Sequence, residues 1–280
     1  MVKIAVVTGA SSGLGREYVK LIDERSVTHP NDRVDQIWVI ARRKERLVDL
    51  QKEVRTPLKV IPMDLTGPDM EERIRKLYLE EKPDIRLLVN SAGFGKIGNY
   101  AEVSDESAAK MVDLNCRAPV LMCQLSLPYM REGARILNVC STAAFSGLQF
   151  LGIYCASKAF LYRYSRSLRV ELFCRRISVT AVCPYWVRDT EFIPVAETAG
   201  LRTGESLEED GNSSRAAKKT RIRHFPLAGR KKTVAAWSMA DTWHRFAVST
   251  PGPVCMVHRV FAKVIPNELM AGIWALLRRI

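Results

Sequence analysis

Apolar positions along this chain fall in short unbroken runs and not in the alternation of half-exposed strands. Lys3–Thr8 (KIAVVT), Gln36–Ala41 (QIWVIA), Leu58–Met63 (LKVIPM), Arg86–Asn90 (RLLVN), Ala134–Cys140 (ARILNVC) and Ser178–Cys183 (SVTAVC) are all of this kind. Runs of that length, rich in β-branched residues, predict strands buried on both faces, as in a parallel sheet. Helical spacing appears between them. Leu14, Tyr18, Leu21 and Ile22 mark a helix after the first strand, and Ser104–Cys116, Pro119–Met130 and Tyr154–Cys174 read as helices further on. The alternation predicts an α/β fold with a doubly wound parallel sheet and helices on both faces.

The pattern loosens towards the carboxyl end. Thr198–Thr220 is polar, charged and poor in large apolar residues. Too little chain follows it to build a second core, so a single domain over 1–280 is expected, with 192–232 as an inserted lid over the substrate. Beyond it, Val234–Phe246 reads as a helix and Ala247–Thr250 as a short strand. Val254–Arg279 is a helical extension broken at Pro266. Its amphipathic pattern is read as packing on the sheet or as a subunit contact, in preference to membrane-surface binding.

Composition narrows the classes. The chain has 280 residues, of which 47% are apolar and 26% charged, ordinary stock for a globular core. No signal peptide or membrane-spanning run is visible, which predicts a cytoplasmic protein. Seven cysteines without C-x-x-C spacing read as reduced core thiols, with no metal site expected. The net charge of +13 has a local part: Leu201–Lys232 holds nine Lys/Arg against four Asp/Glu. With no nucleic-acid-binding motif present, that surplus reads either as a solvated loop or as lid cations recruiting an anionic group on the substrate.

Three constellations carry chemistry. Thr8-Gly9-Ala10-Ser11-Ser12-Gly13-Leu14-Gly15 joins the first strand to the first helix with the spacing G-x-x-x-G-x-G. Glycines there permit a tight turn and close backbone approach, and a helix N-terminus offers free N–H groups to a pyrophosphate. The second strand ends in Ala41-Arg42-Arg43-Lys44, with no carboxylate for ribose hydroxyls. Arg42 and Arg43, helped by Arg16, would instead neutralise a 2′-phosphate, which favours NADP(H) over NAD(H). Finally, Tyr154 and Lys158 stand four apart on a helix, where an ammonium can lower a tyrosine pKa towards the working range. Tyr78 and Lys82 repeat that spacing, but in an acidic, Pro-terminated segment that reads as a surface helix end. Ser141, thirteen residues before Tyr154, has no counterpart before Tyr78.

Together these residues resemble the short-chain dehydrogenase/reductase family over roughly residues 1–195. The resemblance implies a Rossmann-type fold and an NAD(P)-dependent oxidoreductase acting on CH–OH groups, assembled as a homodimer or homotetramer. It implies cofactor contacts from Gly9, Ser11, Ser12, Gly13, Leu14 and Gly15. Asp64 and Leu65 would lie by the adenine, and Asn90, Ala92 and Gly93 in the N-S-A-G turn. Asn115 would support a proton relay, Ser141 would bind the substrate oxygen, and Tyr154 with Lys158 would be the catalytic pair and also contact the cofactor, Lys158 at the nicotinamide ribose. Pro184 and Val187 would border the nicotinamide, although the family's P-G-x-V-x-T reads here as Pro184-Tyr185-Trp186-Val187-Arg188-Asp189-Thr190. Tyr185 replaces glycine, the threonine comes one residue late, and the family's closing D-G-G turn is missing.

Phe94, Phe145, Leu148, Phe150, Tyr185, Trp186 and Phe192 promise an apolar pocket. A hydrophobic secondary alcohol or ketone, such as a steroid or bile acid, is therefore the expected substrate, as in a hydroxysteroid dehydrogenase. The alternatives are a 3-oxoacyl-carrier-protein reductase and a non-catalytic dinucleotide-binding regulator.

Overall fold

The computed structural model describes residues 1–197 and 227–277. Six long strands form its centre: β1 (Lys3–Thr8), β2 (Gln36–Ala41), β3 (Leu58–Pro62), β4 (Asp84–Asn90), β5 (Arg135–Val139) and β6 (Ser178–Val182). Two-residue strands β7 (Val187–Arg188) and β8 (Gly229–Arg230) pair with each other, and β9 (Val248–Ser249) closes the main sheet. The order is β3-β2-β1-β4-β5-β6-β9, and every pairing is parallel. The sheet is doubly wound, and its strand order reverses between β1 and β4, where such folds open a crevice at the carboxyl ends of the strands.

Strands buried on both sides still alternate, because successive side chains point to opposite faces. Ile4 and Val6 of β1 join Trp38, Ile40, Ile136 and Val179 in one layer, under α3 (Met70–Glu81) and α5 (Ala118–Ser126). Ala5 and Val7 join Ile37, Val39, Leu137 and Val182 in the other. That second layer is covered by α1 (Gly13–Thr28), α2 (Lys44–Gln51) and α8 (Lys231–Trp243). The helix expected at Ser104–Cys116 begins as α4 (Asp105–Val112), where Ser104 Oγ caps the N–H of Ser107 at 3.2 Å. It then widens into a π turn, Asp113–Arg117, before continuing as α5. The long α6 (Gly152–Glu171) follows β5, and α7 (Phe192–Glu197) follows β7.

The carboxyl-terminal extension forms α9 (Pro253–Val264) and α10 (Asn267–Leu277), separated at Pro266 because proline cannot continue the helical ladder. The proposed lid, 192–232, lies outside the described residues over 198–226. Among the described residues no helix is long and apolar enough to cross a membrane.

The surface reading of Tyr78 does not hold. Lys82 is indeed an exposed helix cap, left-handed at φ 43°. Tyr78, however, is fully buried with Met70 and Ile74, one helical stripe turned into the core. Its hydroxyl meets Ser126 Oγ at 3.0 Å, and burial holds its pKa well above the ordinary tyrosine range. The acidic residues around it belong to the opposite face of α3.

Candidate active site

At the carboxyl edge of the sheet lies a cavity of about 1260 Å³. One end is the glycine loop after β1. Gly9 sits at φ 70°, and a Cβ on Gly15 would lie 2.3 Å from the Gly9 carbonyl oxygen, so neither position admits a side chain without moving backbone. Ser12 caps α1 only through its backbone, with no side-chain bond to the first turn. The Ser12 side chain thus leaves the first-turn N–H groups uncapped, as an anion site requires. Ser11, Ser12, Gly13 and Leu14 line the cavity with them, as do Arg42, Arg43, Asp64, Leu65, Ala92 and Gly93.

Charge at the β2 end is organised more tightly than the motif alone suggests. Arg43 reaches Ser11 Oγ at 3.2 Å and Ser12 Oγ at 3.0 Å, and pairs with Glu191 at 2.8 Å. Arg46 grips the same carboxylate. Arg16 is turned away onto Glu53 and the Arg46 carbonyl, so it does not join the group. Burial raises the Asp64 carboxyl, but the N–H and hydroxyl of Thr66, at 2.9 and 2.8 Å, outweigh it and hold the pKa low.

The middle of the cavity carries Ser141, Tyr154 and Lys158. Ser141 stands two residues past β5 and caps the turn Thr142–Ala144, where its Oγ accepts from the Ala143 N–H at 3.1 Å. Tyr154 enters from the first turn of α6. Burial drives its pKa up, opposed by a side-chain hydrogen bond with Ser141. Lys158, one turn further, donates to the Val139 carbonyl at 2.8 Å, and its Nζ lies 5.8 Å from the Tyr154 ring centre. Burial lowers the lysine pKa.

Asn115 and Asn90 stand behind this surface and not on it. Asn115, in the π turn, donates to the Phe94 carbonyl at 2.9 Å and Ser157 Oγ at 3.0 Å, and accepts from the Phe94 N–H at 3.1 Å. Ser157 in turn donates to the Tyr154 carbonyl at 2.8 Å. Sequence reasoning missed Ser157; a hydroxyl three residues along α6 was the only available signal. Asn90 bonds Asn138 Oδ1 at 2.9 Å, and Asn138 reaches Ser165 at 2.9 Å, tying β4 and β5 to α6.

The departures after β6 find physical accommodation. Asp189, the additional residue, takes the left-handed conformation at φ 60° and accepts from the Lys231 N–H at 3.0 Å. The late Thr190 consequently still arrives beside Gly13. Tyr185 lines the cavity while its backbone N–H donates to Cys255 Sγ of α9 at 3.2 Å. Pro184 and Val187 line the same wall. Of the expected apolar residues, Phe94, Leu148, Tyr185, Trp186 and Phe192 line the cavity. Phe145 instead packs edge-on to Tyr162 and His258, and Phe150 packs in the cluster around Tyr154. Phe261, Met270 and Trp274 from the terminal helices complete the wall.

The family model for short chain dehydrogenase matches residues 3–198, and the chain belongs to that family. It is an NAD(P)-dependent oxidoreductase acting on CH–OH groups. An uncharacterized oxidoreductase of Staphylococcus epidermidis is 28% identical over 208 residues, covering 74% of this chain and 85% of that one. A short-chain dehydrogenase of Sphingobium yanoikuyae, solved with NADPH, superposes with a TM-score of 0.73 at 23% identity and covers 96% of both chains. One from Burkholderia phymatum, solved with NAD, gives 0.74 at 21% identity, covering 96% of this chain and 95% of that one. Both cofactors thus occur on this fold, and the fold does not choose between them.

Proposed function

We propose that the chain is an NADP(H)-dependent enzyme interconverting a bulky apolar ketone, of steroid or bile-acid size, with its secondary alcohol. The observation that carries this reading is the juxtaposition within one cavity. The glycine loop and Arg42–Arg43 stand at one end, Ser141, Tyr154 and Lys158 in the middle, and Phe94, Leu148, Trp186, Phe192 and Phe261 beyond. Apolar walls with a few convergent polar groups suit a large lipophilic ligand oriented by one oxygen. The pair of arginines, without a carboxylate of the same strand end, favours the cofactor that carries a 2′-phosphate.

When bound, the nicotinamide cofactor supplies or accepts the hydride. The rest falls to side chains of this chain. Ser141 orients the carbonyl oxygen. Tyr154, held as the neutral phenol by burial, gives that oxygen a proton. Alcohol oxidation needs the phenolate, which the Lys158 ammonium stabilises electrostatically. Asn115 and Ser157 position the first turn of α6, and thereby Tyr154. Gly9, Ser11, Ser12, Gly13, Leu14 and Gly15 would hold the pyrophosphate, and Asp64, Leu65, Ala92 and Gly93 the adenosine side and adjoining ribose.

Consumption of NADPH, followed optically across a panel of ketones, tests the reading. Bulky fused-ring or long-chain ketones should give the highest kcat/KM. Activity confined to small polar ketones would contradict it.

A further inference from the structure

Several side chains that line the outer end of the cavity are also open to solvent. Leu227, Val257, Phe261 and Ile273 are exposed, and they come from the segment before β8, from α9 and from α10. The apolar lining of the cavity therefore runs out through its mouth onto the surface. There it continues along α9, where Met256, Val257, Val260, Phe261 and Val264 recur at spacings that place them on one stripe. Val260 is 61% exposed and Val264 77%. On α10, Leu269, Ile273 and Leu276 form a second exposed stripe.

A helix on a soluble domain ordinarily turns such a stripe towards the core. Here α9 cannot roll over, because its other side is already engaged. Cys255 is buried and receives the Tyr185 N–H at 3.2 Å, and His258 meets Ser146 at 3.3 Å and Phe145 edge-on. Exposed Lys263 borders the stripe, on a chain whose net charge is +13, while half-buried Arg259 lies on the engaged side next to Cys255.

We propose that α9 and α10 form a docking surface for an anionic phospholipid bilayer. Their exposed apolar stripes lie among the head groups, and the cavity mouth faces the acyl region. An exposed apolar stripe edged by a lysine, on a basic chain whose described helices cannot span the bilayer, is the combination that lies in a membrane interface. A second copy of the chain fits this face less well. A two-fold contact across the stripe would set Lys263 near its own image and plug the mouth through which substrate must pass. This departs from the packing or subunit contact expected of the extension from its sequence. The benefit to catalysis, direct uptake of a substrate dissolved in lipid, rests on the apolar-ketone reading; the docking itself does not.

The test is sedimentation of the full chain with vesicles, and it reads no ketone turnover. Wild-type protein should partition onto vesicles containing about one third phosphatidylglycerol, bind pure phosphatidylcholine more weakly, and be partly released by high salt. Val260→Asp together with Val264→Asp, neither residue lining the cavity, should lower the partition coefficient by at least about tenfold. NADPH affinity should be unchanged and serves as the check on folding. If that pair failed to bind NADPH, Lys263→Glu replaces it, with a loss of at least about fivefold expected. No partition onto anionic vesicles, or equal partition of variant and wild type, would overturn the proposal. So would light scattering that shows a dimer dissociated by the substitutions with no vesicle binding, which would make a second copy the occupant. An active ketone reductase that ignores vesicles would refute the docking alone, and a vesicle-binding chain without ketone activity would refute the substrate reading alone.

Discussion

Arg43 ties the glycine loop to the segment after β6, lying 3.0 Å from Ser12 Oγ and 2.8 Å from Glu191 Oε2. The Arg43 and Arg46 guanidiniums bring the Glu191 carboxyl down to about 2. A 2′-phosphate on the adenosine ribose would compete with that carboxylate for Arg43. Arg43→Asp, which removes a charge-assisted bond and adds repulsion, should lower the NADPH to NADH ratio of kcat/KM by about tenfold or more. Glu191→Gln should move it the other way by a few-fold. A wild-type enzyme indifferent between the two cofactors would contradict the assignment.

The same carboxylate makes a prediction about acid stability. Its folded pKa is depressed, so whatever it contributes is fully present above its ordinary value of 4.5 and is lost as pH falls towards about 2. The pair is nearly half exposed, so the contribution is modest. Thermal melts of Glu191→Gln and wild type should therefore differ most near neutral pH and converge in that acid window.

Lys158 costs the cofactor-free fold stability. It is buried, donates to the Val139 carbonyl, and has its pKa lowered by desolvation. For a base whose folded pKa is depressed, the cost is full below that pKa and disappears as pH rises to the ordinary 10.5. Lys158→Met should abolish most turnover yet raise Tm at pH 7, with the gain shrinking in alkaline buffer. A variant less stable than wild type at every pH would show that the ammonium is a net structural asset.

Asn115 has the opposite balance. Asn115→Ala would leave the Phe94 N–H and carbonyl and the Ser157 hydroxyl short of a partner, all within or beside buried structure. Unfolding in urea should show a loss of about 2–3 kcal/mol. A fall in kcat larger than the rise in KM would mark its positioning of Tyr154 through Ser157.

The buried strands were legible because a parallel sheet demands uninterrupted apolar runs, and β1, β2 and β6 were located to within a residue. The glycine loop was legible for a similar reason: Gly9 and Gly15 occupy places where backbone approaches backbone, so local chemistry dictates the residue. What escaped notice depends on distant pairings. Glu191 gave no sign of meeting Arg43 and Arg46, because nothing near it in the chain encodes that contact. Asp189 could be seen as an insertion, but not as a left-handed turn that returns Thr190 to Gly13. Tyr78 was misplaced because neighbouring acids were weighed above the Met70–Ile74–Tyr78 stripe.

That tyrosine also supplies the control for the central claim, that Tyr154 is the proton donor and acceptor of this oxidoreductase. Both tyrosines are buried and both precede a lysine by four residues, but only Tyr154 lines the cavity beside Ser141. The decisive measurement is steady-state NADPH oxidation with a bulky ketone by Tyr154→Phe and Tyr78→Phe, alongside NADPH affinity. Tyr154→Phe should lose about 10²-fold or more in kcat with cofactor affinity retained. Tyr78→Phe should keep full turnover and lose only about 1 kcal/mol of stability, for its bond to Ser126. Turnover preserved in Tyr154→Phe, or equal losses in the two variants, would contradict the account.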